Sequence, residues 1–202
     1  MFSDSRILTV PKAACGHLTQ TGTVPADIFD WPGEPAWLLR DQAETNSDYL
    51  QIIPYLLLES GARMSPGGIW CYSRIGGHEK RLLQQFSCGV GGHVEWGDCS
   101  PSLACTAENC LWRELKEEIQ SPSIESLRPL CWLYENESEV GLVHLGLVFT
   151  AVWQPFCLPE VSPGEGLASL GFKSPADICV DERFELWSRL AVSAYISCRE
   201  TT

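Results

Sequence analysis

Three glutamates lie in one short segment, Arg113-Glu114-Leu115-Lys116-Glu117-Glu118-Ile119, at a spacing that suits metal binding. On a helix, residues three and four positions apart share a face, so Glu114, Glu117 and Glu118 would converge. Three carboxylates that close repel one another, and a divalent cation removes the repulsion. Carboxylate oxygens suit magnesium or manganese. The spacing alone also fits the solvated Glu/Lys face of an ordinary helix.

A glycine-rich segment, Gly91-Gly92-His93-Val94-Glu95-Trp96-Gly97-Asp98, precedes these glutamates. Two consecutive glycines at the end of a strand allow a sharp turn. Such a turn exposes a backbone carbonyl, here that of Gly91, as a further oxygen ligand. Arg113 stands directly before the first glutamate and can brace a carboxylate through a charge-assisted hydrogen bond. These neighbours favour a metal site over a solvated helix face.

The two segments together resemble the Nudix box, which combines a Gly-Gly loop, an acidic residue and the pattern Arg-Glu-x-x-Glu-Glu. The acidic residue normally lies eight positions before the arginine, whereas Asp98 lies fifteen positions before Arg113, so we expect a loop seven residues longer. The glycine that normally follows the paired glutamates is also missing, because Gln120 stands there. We expect this second departure to affect how the helix ends.

The resemblance implies a Nudix α/β/α sandwich, an α/β fold in which a mixed β-sheet lies between the glutamate helix and a C-terminal helix. It implies attack of water on a phosphoanhydride bond in a nucleoside diphosphate-linked substrate, with Mg²⁺ or Mn²⁺ as the cofactor. Glu114, Glu118 and the carbonyl of Gly91 would bind the metal. Glu117 would share metal binding with water activation, and Arg113 would orient the carboxylates.

A general base outside the box is also expected, because its position varies across the superfamily. Glu139 and Glu182 are the candidates for this role. Candidate substrate contacts are Arg74, Lys80, Arg81, Gly92 and His93. The three basic residues would contact phosphates or would simply be surface charges. His93 and His144 are either acid–base groups, since imidazole titrates near neutrality, or structural residues. In the second case His93 orients the loop and His144 is a strand residue with a satisfied hydrogen bond.

The resemblance extends beyond the box, to a bacterial Nudix subgroup known only as predicted phosphoesterases. It rests on residues 51–55, 79–82, 89–93, 140–146 and 184–188, and it covers roughly residues 41–190. The subgroup tolerates a long loop before Arg-Glu-Leu-x-Glu-Glu, and it supplies no substrate. Two rivals stay open. One is a Nudix-fold module that binds a nucleotide without cutting it, and the other is a prenyl-diphosphate isomerase using an acid–base pair such as Cys88 with a glutamate.

The elements that would position these residues follow from pattern and turn signals. Residues 1–48 are rich in turns and are predicted to form an extension packed on the core, with one short strand near Ile7–Val10, while residues 49–202 form the Nudix domain. Strands are predicted at 51–58 and 69–73, which form a hairpin, and at 86–90, 129–134 and 143–153. Residues 155–175 are predicted to be a loop.

Two helices are predicted. The first covers roughly residues 102–120, with Ser100 as the N-cap, Pro101 at the first position and an apolar stripe of Leu111, Leu115 and Ile119. The second covers roughly residues 182–197 and is amphipathic.

Composition excludes several partners. A net charge of −12 argues against nucleic acid and against an anionic membrane surface, because both require a basic footprint. No apolar run reaches the length of a membrane span. The ten cysteines include no CxxC pair, and no signal peptide precedes them, so we expect reduced, mostly buried thiols in a cytoplasmic protein. A homodimer is compatible with the sequence.

Overall fold

A computed structural model describes residues 5–26, 31–61, 67–75 and 85–200 of the chain. Its strands are β1 (Arg6–Pro11), β2 (Gly22–Pro25), β3 (Ala36–Leu39), β4 (Tyr49–Ser60), β5 (Ile69–Arg74), β6 (Phe86–Ser87), β7 (Gly89–Gly91), β8 (Ile124–Tyr134), β9 (His144–Trp153) and β10 (Leu167–Lys173). Its α-helices are α1 (Arg40–Ala43), α2 (Leu103–Glu118), α3 (Pro175–Val180) and α4 (Leu186–Glu200).

The strands belong to one sheet. Six of them follow the hydrogen-bonded order β10-β5-β4-β9-β8-β2, while β1 pairs with β3 and β4, β6 with β5, and β7 with β4. The pairs β1–β3, β1–β4, β2–β8, β5–β6 and β5–β10 are antiparallel, whereas the bridge between Phe86 and Phe184 is parallel. A large mixed sheet with few helices confirms the predicted α/β fold class.

The chain divides into two compact units. The first contains the described residues within Met1–Tyr55, Gly91–Trp112 and Pro129–Val148. In this unit β1 pairs with β3 and with the start of β4, and Ile7, Leu8 and Val10 of β1 are buried. The core of the unit therefore includes the N-terminal segment.

The prediction of a single strand in residues 1–48 is wrong, because β1, β2 and β3 all lie there. Pro25 was interpreted as part of a turn, but it is the last residue of β2 and pairs with Cys131. Proline is tolerated on an edge strand, and β2 is the terminal strand of the hydrogen-bonded order of the described strands. The domain boundary between residues 48 and 49 stays a proposal.

The second unit contains the described residues within Leu56–Val90, Arg113–Arg128 and Phe149–Thr202. Glu59 of β4 pairs with Ile69 of β5, which confirms the predicted hairpin. The predicted loop at 155–175 is wrong in part, because β10 lies within it and pairs with β5. Gly171, at a φ of 71°, accompanies a register shift in this pairing. A bulged strand with weak β-formers gives little sequence signal.

The remaining boundaries also shift. The strand predicted at 86–90 is divided into β6 and β7, and the C-terminal helix begins at Leu186 instead of near residue 182. This helix is fixed to its unit by the buried carboxylate of Glu59. That carboxylate accepts a 2.9 Å hydrogen bond from the Tyr195 hydroxyl and lies 3.1 Å from an Arg199 nitrogen.

All ten cysteines are free thiols in the structure. Five are buried, four are exposed and one is intermediate, so the expectation of mostly buried thiols holds for only half of them. Among the described residues, no helix has both the length and the apolar character needed to cross a membrane.

Candidate active site

Helix α2 carries the three glutamates and begins at Leu103. The Ser102 hydroxyl accepts a 3.0 Å hydrogen bond from the backbone amide of Cys105, which is the geometry of an N-cap. The predicted cap, Ser100, is wrong by two residues. Its backbone amide donates instead to the hydroxyl of Thr106 at 3.0 Å, so this serine precedes the helix.

The segment between Asp98 and Arg113 is mostly helical, in agreement with the helix predicted at 102–120, so the seven extra residues do not lengthen a loop. Residues 103–112 all belong to α2. Seven residues of helix extend it by about 10 Å. Asp98 lies before the helix, where its side chain accepts a 2.9 Å hydrogen bond from the Glu95 amide and its carbonyl accepts one of 3.1 Å from the Asn109 side chain.

Arg113 joins two of the three carboxylates in the second unit. Its Nη1 lies 2.7 Å from a Glu114 oxygen and 3.4 Å from a Glu117 oxygen. The Glu114 side chain is 15% exposed, whereas that of Glu117 is 52% exposed. The structure thus brings Arg113, Glu114 and Glu117 together as the sequence predicted, with the arginine as their bridge.

Glu118 is the buried member of the set, with a relative exposure of 8%. Within the described residues its Oε2 atom is buried and has no hydrogen-bond partner. Burial raises the pKa of Glu118 to about 8; Arg74 opposes the shift, while Glu114, Glu165 and Glu117 add to it. The Oε2 atom therefore lacks the partner that a buried polar atom requires.

A divalent cation fits this carboxylate. An unpartnered buried oxygen, with other carboxylates close enough to disfavour its charge, is stabilised by a positive ion bound there. No three acidic, histidine or cysteine side chains in the described part of the chain are already arranged to hold a metal.

Arg74 lies in the same unit, at the end of β5, and is held by a tyrosine. Its Nη2 donates a 3.2 Å hydrogen bond to the Tyr72 hydroxyl, and its guanidinium lies 5.4 Å from the centre of the Tyr72 ring. The Tyr72 hydroxyl in turn donates to the carbonyl of Gly89 at 2.6 Å. The positive charge of Arg74 also lowers the pKa of Glu118. We therefore count Arg74 as part of the candidate site.

A second carboxylate approaches Tyr72 from the start of α4. Glu185 Oε1 accepts hydrogen bonds from the Ser87 hydroxyl at 2.6 Å and the Ser188 hydroxyl at 3.1 Å. Burial raises the pKa of Tyr72, and the charges of Glu118 and Glu185 raise it further. Sequence reasoning missed Tyr72 and Glu185 as site residues. The spacing of Tyr72 and Arg74 could have indicated the tyrosine, because residues two positions apart on a strand lie on the same face.

The end of α2 depends on a segment that the sequence left as loop. The Glu118 carbonyl accepts a 2.8 Å hydrogen bond from the Ser162 amide, and Ile119 forms an antiparallel bridge with Val161. The amide of Gln120 donates to the carbonyl of Glu160 at 2.9 Å. The helix therefore ends against residues 160–162, which replace a glycine cap.

The glycine loop lies in the first unit and is tightly packed. A Cβ atom at Gly91 would lie 2.0 Å from the carbonyl oxygen of Pro54, so only glycine fits this position. The Cys110 thiol lies 3.6 Å from the Gly92 carbonyl and 3.5 Å from the His93 carbonyl. The close approach of the Pro54 backbone therefore explains the glycine at position 91.

The two histidines form a pair in the same unit. Their Nε2 atoms lie 3.2 Å apart, and His144 Nδ1 lies 2.6 Å from the carbonyl oxygen of Val140. Because a carbonyl only accepts, His144 Nδ1 carries a proton. If His144 is neutral, His93 Nε2 is the donor between the rings. His144 thereby has the hydrogen-bonded strand position that the sequence offered as one alternative.

Both glutamates predicted as a general base outside the box are exposed. Glu139 is exposed in the first unit, and Glu182 is exposed between α3 and α4. Lys80 and Arg81 lie outside the described residues.

Comparisons with known proteins point to one fold. No protein-family model matches the sequence. Protein YmaB of Bacillus subtilis strain 168 is 29% identical over 159 residues, which span 76% of this chain and 74% of YmaB.

Two solved structures are similar to this chain. Tm1382, provisionally described as a Nudix hydrolase, aligns with a TM-score of 0.72 and 22% identity, over 96% of this chain and 99% of Tm1382. The Nudix domain of NrtR from Shewanella oneidensis, complexed with ADP ribose, aligns with a TM-score of 0.51 and 15% identity, over 76% of this chain and 89% of that domain. The predicted resemblance to the Nudix superfamily is confirmed at the level of architecture: this chain has the Nudix fold.

Proposed function

We propose that this protein is a metal-dependent hydrolase that cleaves the phosphoanhydride bond of a nucleoside diphosphate-linked substrate. The observation that carries the proposal is the buried carboxylate of Glu118, whose Oε2 has no hydrogen-bond partner among the described residues. A solvated helix face would leave that carboxylate in water, where it needs no partner. The Nudix fold supports the proposal, because Nudix hydrolases generally use divalent metal ions.

The metal, Mg²⁺ or Mn²⁺, would be held by Glu114 and Glu118, with Glu117 as a further ligand. The role of the Gly91 carbonyl stays a prediction from the sequence. Once bound, such an ion polarises a phosphoryl oxygen and lowers the pKa of water. Arg113 holds the carboxylates of Glu114 and Glu117 at 2.7 and 3.4 Å. It therefore sets the directions from which both side chains reach a ligand.

Arg74 is the best supported substrate contact. Its guanidinium donates a hydrogen bond to the Tyr72 hydroxyl, and its charge lowers the pKa of Glu118. A substrate phosphate bound beside Glu118 would therefore meet a positive charge held in place by Tyr72. Gly92, His93, Lys80 and Arg81 stay candidates for the same role.

The test is hydrolysis of a substrate panel with and without magnesium. The panel contains nucleoside triphosphates, ADP-ribose, dinucleoside polyphosphates and NADH. We expect metal-dependent release of a phosphate-containing product from at least one of them. Binding of a nucleotide without turnover would identify a sensor, the role for which the ADP-ribose complex of the NrtR domain provides a precedent of binding.

A prenyl-diphosphate isomerase is less well supported. Its acid–base pair must reach the substrate, whereas Cys88 is 1% exposed, and its thiol lies 3.9 Å from the carbonyl of Ser188. Conversion of isopentenyl diphosphate without phosphate release would nevertheless favour the isomerase over the hydrolase.

A further inference from the structure

The segment between β9 and β10, residues 154–166, is attached to the end of α2 by one hydrogen bond and to the end of β5 by another. At the first end, the Ser162 amide donates to the carbonyl of Glu118 at 2.8 Å. At the second, the amide of Ile75 donates to the carbonyl of Gly166 at 2.7 Å. Only Pro163, Gly164 and Glu165 lie between these two hydrogen bonds. The backbone position of Glu165 is therefore strongly restricted.

The turn between the attachments is specified by its residue types. Ser162-Pro163-Gly164-Glu165 places proline second and glycine third, the signature of a type II turn. Gly164 has a φ of 96°, and the amide of Glu165 approaches the carbonyl of Ser162 at 3.5 Å. Gly166, at a φ of 65°, then leads the chain into β10. Glu165 is therefore presented between two glycines by a turn with little conformational freedom.

Glu165 is exposed to water. Leu167, two residues later, stands opposite Arg74 in the β5–β10 pairing, so the turn lies beside the cation of the site. The charge of Glu165 contributes to the raised pKa of Glu118, which agrees with this placement. Glu165 thus combines access to solvent with a backbone that is attached to Glu118 through Ser162 and to β5 through Gly166.

We propose that Glu165 is the general base of the reaction, an assignment that rests on the proposed hydrolase function. The oxygen of a water molecule attacks the phosphorus, and one proton of that water passes to the Glu165 carboxylate. The bond between the phosphorus and the bridging oxygen breaks, and its electron pair stays on the leaving phosphate. Glu165 then releases its proton to solvent. Glu117, which pairs with Arg113, then binds the metal and does not activate the water.

The test compares Glu165→Gln with Glu160→Gln, an exposed glutamate on the same segment. Both variants remove one charge from a surface position and keep the size of the side chain. We expect Glu165→Gln to lower kcat roughly 10²–10⁴-fold, the usual contribution of a general base, and to leave KM unchanged. Magnesium should raise the melting temperature of the parent, because an ion that binds only the folded state stabilises it, and it should raise that of Glu165→Gln by the same amount. Glu160→Gln should keep the parental kcat, and Glu165→Asp, which retains a carboxylate, should keep part of it.

Three outcomes overturn the assignment, and they differ from one another. Equal kcat values for Glu165→Gln and Glu160→Gln, in an active parent, would show that the proton goes elsewhere. Loss of the magnesium-induced stabilisation in Glu165→Gln would make Glu165 a metal ligand instead. An unmodified protein that hydrolyses no member of the substrate panel would instead remove the proposed function itself, and the role of Glu165 with it.

Discussion

The backbone amide of Ser162 donates a 2.8 Å hydrogen bond to the carbonyl of Glu118. This bond joins the turn that carries Glu165 to the last residue of the helix that carries the buried carboxylate. It also satisfies one of the carbonyls that a helix leaves unpaired at its C-terminus. The missing box glycine is thereby compensated by a neighbouring segment, and the required positive φ, 47°, falls on Ser121.

Replacing Ser121 by glycine should stabilise the protein or leave its stability unchanged. A left-handed φ costs a non-glycine residue about 1–2 kcal/mol, and the greater freedom of glycine in the unfolded chain offsets part of that gain. Ser123→Gly, nearby and without a positive φ, should only destabilise. Thermal melts of the two variants give the comparison. A lower melting temperature for Ser121→Gly than for Ser123→Gly would contradict the strain assigned to this position.

The stability of the metal-free protein should fall between about pH 5 and pH 8. The folded pKa of Glu118, about 8, lies above its ordinary value of 4.5. The folded state therefore binds the proton more tightly, and this contribution is fully present below the ordinary pKa and is lost as the pH rises through the folded one. Melting curves at several pH values, with Glu118→Gln as the reference, measure the effect. A slope that is identical in parent and variant would exclude Glu118 as its source.

Gly91→Ala should destabilise the glycine loop. The new methyl group would lie 2.0 Å from the carbonyl oxygen of Pro54, so the backbone must shift. Overpacking of this kind costs about 1–3 kcal/mol, which lowers the melting temperature by roughly 2–12 °C in a protein of this size. Gly97→Ala is the matched control, because nothing lies within 4 Å of its Cβ position. Equal melting temperatures for the two variants would show that the loop has room at Gly91.

The thiols should differ in reactivity according to burial. The exposed cysteines are Cys99, Cys105, Cys157 and Cys198. Burial raises the pKa of Cys71 to about 12 and that of Cys15 to about 11, and only the thiolate reacts with an alkylating agent. Mass spectrometry of the native protein should therefore find the four exposed thiols modified first. After denaturation without reductant, all ten should react, and a smaller number would reveal disulfides.

The sequence predicted the parts of the site that depend on local spacing. The sequence predicted that Glu114, Glu117 and Glu118 share a helix face and that Arg113 braces a carboxylate. The structure places Arg113 beside Glu114 and Glu117, whereas no three ligating side chains form a group in the described part of the chain. The hairpin of β4 and β5 follows from two apolar runs separated by turn residues. In both cases the determining interactions join residues that are close in the chain, so one local pattern contains them.

The parts that the sequence did not predict depend on distant residues. Glu165 lies forty-seven positions after Glu118 (165 − 118) in a segment whose prolines and glycines read as loop. Its position becomes clear only from the attachment of Ser162 to α2. The predicted N-cap, Ser100, failed for the same reason, because its amide donates to the hydroxyl of Thr106, six residues later, while Ser102 caps the helix.

The most direct measurement of the central claim is magnesium-dependent hydrolysis by the parent protein and by Glu118→Gln. Glu108→Gln, a change on the same helix outside the glutamate set, serves as the control. The proposed function predicts that the parent and Glu108→Gln release product from the same diphosphate substrate only when the metal is present. It predicts that Glu118→Gln needs much more magnesium and turns over far more slowly. Hydrolysis by Glu118→Gln with parental kcat and parental magnesium dependence would contradict the metal site at the buried carboxylate.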